Sequence, residues 1–355
     1  METATPPGIR LDSVTRFFRE SIPGGDAPLR FELISGGRSN LTYRVDIGSR
    51  SVALRRPPLG HVIPTAHDMR REYRVLAALA DSAVPVPRPI ALCEDASVND
   101  YPFYVMEYRP GIVLQNRLPA GYLERPADRA RASAALVDTL VALHRVDVAA
   151  AGLSDFGRPD GYLARQVIRW RKQWEANRTA PLPEIETLLA RLEHALPARS
   201  DTTLVHGDFR FGNLALDPAD PGRVIAVYDW EMATLGDPLA DVGYTLIYWV
   251  EPGDVQSSGG IEEVGAVTAH PGFFTRQEVA AAYAAASGRD LAQIDFYQVL
   301  ALTKLAVISE GIFKRFQLGK TAGTGFDKMN RAAEPLAQRA LAIADASDDK
   351  RLRSC

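Results

Sequence analysis

The chain has 355 residues, of which 46% are hydrophobic and 24% are charged, and its formal net charge is −3. This composition is ordinary for a globular protein with one large or two moderate domains, and the small net charge does not indicate a nucleic-acid partner. Two cysteines are too few for a zinc site of the CxxC type or for a disulfide framework. The start is not basic and then apolar, and the chain lacks a run of about 18 uninterrupted apolar residues. We therefore expect a cytoplasmic protein without a membrane segment.

Short strands separated by glycine-rich turns dominate the first hundred residues. Their apolar patterns predict five strands, Phe31–Ser35, Leu41–Ile47, Ser51–Arg55, Ile90–Glu94 and Tyr101–Glu107. After the third strand, apolar residues at helical spacing predict one helix over Thr65–Ala80, with Thr65 and Asp68 forming a capping box. The prediction for this part of the chain is a small β-rich lobe with a single helix.

Helices dominate beyond Tyr108–Gly111, where a proline and a glycine mark a candidate hinge between domains at 1–108 and 109–355. The helices are predicted over Arg129–His144, Gly161–Trp174, Pro183–Leu196, Gln277–Ser287, Leu291–Phe316 and Ala332–Ala346. Strands and turns interrupt them over Thr203–Trp230, and the segment 235–274 contains too many glycines and prolines to assign. The charged tail from Asp348 is predicted to fray.

The most informative stretch is H-G-D-F-R-F-G-N-L at positions 206–214. Asn213 lies five positions after Asp208, and a second acid, Asp229, ends the following apolar run. Phosphoryl transfer needs a group that accepts the proton of the acceptor hydroxyl, and oxygen ligands for the Mg²⁺ that neutralises phosphate charge. These three side chains, in this order, are candidates for both tasks.

The motif H-G-D-x-x-x-x-N with its later Asp resembles the kinase-like phosphotransferases of the aminoglycoside phosphotransferase and choline kinase superfamily. The resemblance is greatest to the branch that includes the kinase domain of acyl-CoA dehydrogenase family proteins, and its landmarks run from about Ser35 to about Asp241. It implies an α+β, two-lobed protein-kinase-like fold with a small β-rich N-lobe for the nucleotide. The larger, mainly helical C-lobe would carry the catalytic loop and bind the acceptor. The implied cofactors are ATP and Mg²⁺.

By this resemblance, Asp208 is the general base, and Asn213 and Asp229 are the metal ligands. The alternative for Asp208 is an ordinary turn residue that caps local backbone. In the following G-D-P-x-x-D segment, Asp241 is expected to hold the catalytic loop in place. Asp237 is expected to cap a helix, with a position in the acceptor site as the alternative.

The third predicted strand carries residues that match the nucleotide-binding strand of kinases. Alternation places Ala53 and Arg55 on one face of this strand. The resemblance implies that Ala53 packs against adenine and that Arg55, in place of the usual lysine, reaches the phosphates. Glu72 on the predicted helix is the expected ion-pair partner of Arg55. The alternative is a glutamate at the rim that pairs with Arg70 or Arg71.

The turn at residues 35–40 is a candidate phosphate loop, in which Ser39 and Asn40 add hydrogen-bond donors, although an ordinary hairpin turn is the alternative. At the end of the fifth strand the resemblance places three residues against adenine through their backbone: Met106, Glu107 and Tyr108. These assignments rest on position in the fold alone.

Three residues of one predicted helix are candidate acceptor contacts: Arg165, Arg169 and Trp170. An anionic acceptor such as a hydroxy acid or its CoA thioester would suit the arginines, whereas the alternative is tryptophan packing beside a solvated basic face. A polycationic aminoglycoside would instead need an acidic pocket. Four carboxylates are candidates for such a pocket: Glu251, Asp254, Glu262 and Glu263.

The leading hypothesis is an ATP- and Mg²⁺-dependent phosphotransferase that moves the γ-phosphate to a hydroxyl of a small molecule, a hydroxy acid or hydroxyacyl-CoA rather than an antibiotic. One alternative is a nucleotide-binding protein without turnover, because Arg55 replaces lysine and the glycine loop is short. Another is a metal-dependent hydrolase that uses His206, Asp208, Asp229 and Asp237. We expect neither a nucleic-acid nor a membrane partner. The sequence leaves the acceptor, the choice between ATP and GTP, and the oligomeric state open.

Overall fold

The computed structural model describes residues 6–35, 40–59, 67–254, 266–319 and 330–354. The chain divides into two compact units. The first is Met1–Pro110 with Ala226–Glu231, and the second is Gly111–Ile225 with Met232–Cys355. The boundary between Pro110 and Gly111 lies close to the predicted boundary between residues 108 and 109. Residues 226–231, which include Asp229, belong to the first unit.

A five-stranded antiparallel sheet is the centre of the first unit. Its strands are β1 (Leu29–Ser35), β2 (Leu41–Ile47), β3 (Arg50–Arg56), β4 (Pro89–Cys93) and β5 (Phe103–Glu107). Their order in the sheet is β1-β2-β3-β5-β4. All five predicted strands are confirmed, with small shifts at their ends.

A helix that the sequence analysis did not predict, α1 (Leu11–Ser21), covers one face of this sheet. Its Phe18 is fully buried and packs in one cluster with Val52 and Leu54 of β3. A second unpredicted element is the short helix α3 (Ala96–Asn99). The expectation of a single helix in this part of the chain is therefore wrong.

The predicted helix of the first unit is α2 (Met69–Leu79). Its N-cap is Asp68, whose carboxylate accepts hydrogen bonds from the backbone N–H groups of Arg70 and Arg71. The helix is confirmed, but Asp68 caps it itself rather than serving as the third residue of a capping box. The other half of that prediction, Thr65, lies outside the described residues.

Helices build most of the second unit. They are α4 (Pro126–His144), α5 (Tyr162–Asn177), α6 (Pro183–His194), α7 (Pro238–Ile247), α8 (Arg276–Ser287), α9 (Ile294–Gln317), α10 (Asn330–Ala346) and α11 (Lys350–Arg353). The six helices predicted for this half are confirmed, and α7 lies in the segment that could not be assigned. The expectation of a frayed tail is wrong, because Leu352 of α11 is fully buried.

The long helix α9 lies at the centre of the helical core. Buried residues of α5, α6, α7 and α10 join it in one hydrophobic cluster. By length and composition, α9 is the one helix in the described part of the chain that is apolar enough to cross a membrane. However, 67% of its most apolar window is buried inside the protein, as in the central helix of a globular core.

Short strands fix both ends of the H-G-D-x-x-x-x-N loop. Before it, β7 (Thr203–Val205) pairs antiparallel with β10 (Thr234–Gly236). After it, β8 (Leu214–Leu216) pairs antiparallel with β6 (Ile112–Val113). Strand β9 (Val224–Val227) then leads to Asp229. The predicted interruption of the helices by strands and turns is confirmed.

Replacing Phe18 by alanine tests the packing of α1 on the sheet. The substitution should lower the free energy of unfolding by about 3–5 kcal/mol, because it removes a fully buried phenyl ring. Leu11→Ala is the matched control, since Leu11 of the same helix is 41% exposed, and should change that free energy by less than about 0.5 kcal/mol. Urea titrations followed by circular dichroism measure both values. Equal losses for the two variants would contradict the packing described.

Candidate active site

The loop after β7 makes a sharp turn at Gly207. Its φ angle is +84°, and a Cβ atom at this position would lie 2.9 Å from the carbonyl oxygen of Met232. A side chain would therefore be strained by the backbone conformation and would also collide with neighbouring backbone. Before the turn, His206 is fully buried and its ring lies edge-on to Phe209 at 5.8 Å. Glycine at 207 is thus a requirement of the turn that presents Asp208.

The Asp208 carboxylate is held on both sides by side chains of its own loop. Arg210 Nε donates a hydrogen bond to Oδ1 at 3.0 Å, and Asn213 Nδ2 donates to Oδ2 at 2.8 Å. Asn213 Nδ2 also donates to the Asp208 carbonyl oxygen at 2.8 Å. The Asp208 side chain is still 18% exposed, so it is oriented and yet accessible to a small molecule. A carboxamide ligates a metal through its oxygen, so Oδ1 is the atom of Asn213 that could do so.

Arg210 is a site residue to which sequence reasoning gave no role. Its guanidinium lies over the Tyr248 ring, 5.2 Å from the centroid, in addition to its bond with Asp208. Burial opposes the charge of Arg210, but the Asp208 carboxylate holds the pKa of this guanidinium above its usual value. The signal was its place inside the motif, two residues after Asp208.

A buried carboxylate, that of Asp241 on α7, holds the catalytic loop through its backbone. It accepts hydrogen bonds from His206 N at 2.6 Å and from Gly207 N at 2.7 Å. The same carboxylate lies 3.3 Å from His144 Nε2, and Tyr283 Oη lies 2.7 Å from His144 Nδ1. Burial alone would raise the pKa of Asp241, but these hydrogen bonds and the nearby histidines hold it below its usual value. The predicted role of Asp241 in holding the loop is confirmed.

Asp237 caps α7, as predicted. Its carboxylate accepts hydrogen bonds from the Leu239 backbone N–H at 2.9 Å and from the Tyr297 hydroxyl at 2.8 Å. Both of its oxygens are therefore used inside the second unit, and the hydrolase alternative loses one of its four proposed ligands. Across the described ranges, no three side chains of His, Cys, Asp or Glu converge as a metal site.

Arg55 is the centre of a charged cluster in the first unit. Its Nε donates to Glu72 Oε2 at 2.8 Å, and its Nη2 lies 2.5 Å from Asp229 Oδ1. Glu72 is almost completely buried, whereas Arg70 forms an exposed ion pair with Glu94. The predicted ion pair between strand and helix is therefore confirmed, and the alternative of a rim glutamate is wrong.

Glu72 is surrounded by hydrogen-bond donors as well as by charge. Asn40 Nδ2 donates to Oε1 at 2.7 Å, and the Tyr104 hydroxyl donates to Oε2 at 3.0 Å. Burial raises the pKa of Glu72 to about 7; Arg55 acts against this rise, and the negative charge of Asp229 adds to it. A proton on this carboxyl is therefore held close to neutral pH.

Three carboxylates, those of Glu72, Asp229 and Glu231, lie around the single guanidinium of Arg55. Arg55 therefore balances only part of the negative charge that these three carboxylates carry when all are ionised. Asp229 is 26% exposed, and its φ angle is +66°, in the left-handed region that residues other than glycine rarely adopt. Backbone strain of this kind is concentrated at functional sites.

The candidate phosphate turn is described only in part. Ser39 lies outside the described residues. Asn40 is buried, and its amide nitrogen donates to Glu72 and, at 3.2 Å, to Glu231. The side-chain donor of Asn40 is therefore used by carboxylates, and the prediction that this residue binds phosphate stays open for its backbone N–H.

The predicted adenine contacts come from neighbouring strands. Ala53 and Met106 are cross-strand partners of β3 and β5, and both are buried. The backbone N–H of Glu107 donates to the Arg88 carbonyl at 2.8 Å, so this N–H is already used within the protein. The guanidinium of an arginine on β2 lies over the Tyr108 ring, 5.3 Å from its centroid. The nucleotide roles of these residues stay predictions.

The three candidate acceptor residues of α5 have different environments. Trp170 is buried in the helical core, so the packing interpretation applies to its ring rather than an acceptor contact. Arg165 donates to backbone carbonyl groups just before its own helix, and Arg169 is exposed, with its guanidinium 5.1 Å from the Trp170 ring. With Lys172, the two arginines line an open groove of about 670 Å³.

The carboxylates considered for an acidic antibiotic pocket are occupied where the structure describes them. Arg276 Nη2 lies 2.7 Å from Glu251 and 2.6 Å from Asp254. The other two, Glu262 and Glu263, lie outside the described residues. Both described carboxylates are therefore paired with one arginine, which offsets half of their charge.

Lys304 on α9 is a second basic group close to Asp208, and no sequence motif indicated it. Its Nζ donates to the Gly207 carbonyl at 3.0 Å and lies 4.4 Å from the centroid of the Tyr244 ring. Burial lowers the pKa of Lys304 to about 8, although Asp208 and Asp241 favour its charge. The available signal was a lysine within the otherwise uncharged stretch 299–308.

A family model and several known proteins match most of this chain. The model of the phosphotransferase enzyme family (APH) matches residues 30–297. The chain is 35% identical over 316 residues to acyl-CoA dehydrogenase family member 10 of Mus musculus, covering 88% of the chain and 29% of that relative. It is 32% identical over 341 residues to acyl-CoA dehydrogenase family member 11 of Gallus gallus, covering 93% and 43%. The chain thus spans less than half the length of these relatives.

Solved structures give the same result for the fold. A protein of Ralstonia eutropha JMP134, named as an aminoglycoside phosphotransferase, is 32% identical, with a TM-score of 0.76 and coverage of 94% of this chain and 97% of that one. A mutant of aminoglycoside phosphotransferase APH(4)-Ia in complex with ADP and hygromycin B is 16% identical, with a TM-score of 0.59 and coverage of 88% and 92%. The predicted protein-kinase-like α+β fold is confirmed.

Replacing Glu72 by glutamine tests the raised pKa of the buried carboxyl. Because this pKa is raised from 4.5 to about 7, the folded state holds the proton more tightly than the unfolded state. The contribution of Glu72 to stability is then fully present at low pH and is lost as the pH rises towards about 7. The free energy of unfolding of the wild type, relative to Glu72→Gln, should fall by at most about 1.4 kcal/mol per pH unit in this window and then level off.

Urea titrations in EDTA between pH 4.5 and 8 measure this difference, in which the other titrating groups largely cancel. A difference that does not change with pH would contradict the raised pKa of Glu72.

Proposed function

The chain belongs to the phosphotransferase enzyme family, and on this basis we propose that it is an ATP- and Mg²⁺-dependent small-molecule kinase that phosphorylates a hydroxyl group. The observation that carries the proposal is the Asp208 carboxylate, held between Arg210 and Asn213 and still accessible. A carboxylate in this setting is a suitable acceptor for the proton of an attacking hydroxyl. The products are ADP and a phosphate monoester.

In this proposal Asp208 orients the acceptor hydroxyl and accepts its proton as the oxygen attacks the γ-phosphorus in line. Each carboxylate oxygen can accept two hydrogen bonds, so the bonds from Arg210 and Asn213 leave room for the hydroxyl. Those two bonds hold the carboxylate plane, and Asp241 holds the backbone of the preceding residues. Orientation of this kind is a large part of catalysis when two reactants must meet in one geometry.

Asn213 and Asp229 are the proposed Mg²⁺ ligands. Asn213 has its Oδ1 left after its amide nitrogen bonds to Asp208, and Asp229 has its Oδ2 left after Oδ1 pairs with Arg55. When bound, Mg²⁺ would neutralise the charge of the β- and γ-phosphates. Arg55, oriented by Glu72, would present its planar guanidinium to the phosphates in place of a lysine. An arginine held in this way supports turnover rather than binding alone.

The acceptor is proposed to be anionic, a hydroxy acid or a hydroxyacyl-CoA thioester rather than an aminoglycoside. The open groove on α5 carries Arg165, Arg169 and Lys172, which would attract an anion and repel a polycation. The relatives named as acyl-CoA dehydrogenase family members also favour an acyl thioester. We propose this assignment for the acceptor side of the reaction.

Asp208→Ala tests the assigned base. The variant should lower kcat by about 10²–10⁴-fold, the usual contribution of a positioned general base, and should leave the Kd of ATP within about twofold. Coupled ADP-release assays and fluorescence titration with a labelled nucleotide measure the two quantities. Asp220→Ala is the matched control, because Asp220 forms an exposed ion pair with Arg131. A near-normal kcat for Asp208→Ala would refute the assignment.

A screen of acceptors for ADP release tests the proposed reaction and its substrate class. Hydroxy acids, hydroxyacyl-CoA thioesters, amino alcohols, sugars and aminoglycosides are compared at equal concentration, and the anionic acceptors should give the highest kcat/KM. Arg169→Gln should then raise KM for the anionic acceptor by about 5–10-fold. Arg171→Gln, which alters a residue of the same helix already paired with Glu193, should not.

Two outcomes of this screen would decide against the proposal. A higher kcat/KM for aminoglycosides would overturn the acceptor class. Nucleotide binding without ADP release for any acceptor, water included, would favour a binding protein without turnover.

A further inference from the structure

Both polar backbone groups of Gly207 are bound by charged side chains of the second unit. The N–H donates to Asp241 Oδ1 at 2.7 Å, and the carbonyl oxygen accepts from Lys304 Nζ at 3.0 Å. The first side chain comes from α7 and the second from α9. Gly207 adjoins Asp208 in the chain, so its carbonyl belongs to the same peptide unit as the Asp208 N–H.

This peptide unit needs to be held because of the residue that precedes it. The preceding residue is Gly207, whose φ angle is +84°. Glycine has more accessible backbone conformations than any other residue type. Rotation of the peptide after Gly207 would change the direction of the Cα–Cβ bond of Asp208. Asp241 fixes the N–H of Gly207. The peptide unit that follows is held at both of its polar ends, because Lys304 donates to the Gly207 carbonyl and the Asp208 N–H donates to His206 Nδ1 at 3.2 Å. Of these two contacts, only the one from Lys304 brings a charge.

The ammonium of Lys304 lies among groups from three other elements. Asp241 and Tyr244 face it from α7, Asp208 from the loop, and Arg169 from α5. The two carboxylates and the aromatic face favour a cation here, whereas partial burial and Arg169 oppose it. A charged lysine therefore offsets negative charge on both sides of the Gly207 turn.

We propose that Lys304 is a positioning residue for phosphoryl transfer, whose ammonium holds the Gly207 carbonyl and thereby sets the direction of the Asp208 carboxylate. The proposal rests on the proposed role of Asp208 as general base. The charge of Lys304 is part of its role. A neutral amine at this position would bind the Gly207 carbonyl less strongly, and no positive charge of Lys304 would then offset the carboxylates of Asp208 and Asp241.

Lys304→Met removes the ammonium and keeps a side chain of similar length. Its kcat should fall by about 10–100-fold, the cost of a small misplacement of a reacting group, whereas the KM of ATP should stay within about twofold. Lys304→Arg keeps the charge and should recover most of the loss. The matched control is Lys314→Met, because Lys314 lies on the same helix and also donates to a backbone carbonyl, that of Ala176, at 2.6 Å.

The pH dependence of kcat separates this role from simple packing. Because burial lowers the pKa of Lys304 to about 8, the wild-type kcat should decline as the pH rises through that value. The decline should be absent in Lys304→Arg, whose guanidinium stays charged. An unchanged decline in Lys304→Arg would overturn the proposal, even if Lys304→Met does not fold. The proposal would also be overturned if the kcat of Lys304→Met stayed within about twofold of the wild-type value. The same holds if the kcat of Lys304→Met were no lower than the kcat of Lys314→Met.

A second measurement does not depend on turnover. Hydrogen exchange of the peptide 204–214 should be about 10-fold faster or more in Lys304→Met than in the wild type and in Lys314→Met, because the Gly207 turn opens more often. Unchanged exchange would overturn the proposal. If the wild type transfers no phosphate to any acceptor, the proposed function fails, and hydrogen exchange still decides whether Lys304 holds the loop.

Discussion

The geometry of the catalytic loop depends on one buried carboxylate that must be kept charged away from water. Asp241 meets this requirement by accepting two backbone N–H groups of the loop, at 2.6 and 2.7 Å, beside His144. An ionised carboxylate in a protein interior is costly unless such donors surround it. The same hydrogen bonds that stabilise the charge therefore fix the turn at Gly207, and through this turn the position of Asp208.

The first unit also contains a cluster of partly or fully buried carboxylates, but their charge is balanced less completely. There Glu72, Asp229 and Glu231 lie around one guanidinium, that of Arg55, so the negative charge is not balanced by that cation alone. The second unit balances its carboxylates with donors and with basic side chains, namely Arg210 and Lys304. The first unit therefore has an excess of negative charge around Arg55, whereas the carboxylates of the second unit are largely balanced.

Local sequence patterns were sufficient for the strands, most helices and the residues of the motif. The Arg55–Glu72 pair was also predictable, because an acid on the buried stripe of a helix needs a partner and alternation placed Arg55 on the right face of its strand. The helix α1 was missed, and its buried face is marked by only a few apolar residues, among them Val14 and Phe18.

The contacts that escaped prediction join residues far apart in the chain. Lys304 and Gly207 are separated by 97 positions, and no spacing rule relates a helix side chain to a distant backbone carbonyl. For Trp170 the local pattern was visible but ambiguous. A tryptophan beside arginines fits both a core and a binding site until its burial is known. The nucleotide roles of Ala53, Met106 and their neighbours rest on position in the fold and stay predictions.

The two acids of the G-D-P-x-x-D segment stand one helical turn apart on α7. Asp237 closes the start of the helix, and four residues later Asp241 reaches the catalytic loop. Each residue of an α-helix advances the side chain by about 100°, so inserting or deleting a single residue between them would swing Asp241 away from the loop while the cap stayed in place. The spacing of these two acids therefore links the cap of α7 to the backbone of the catalytic loop.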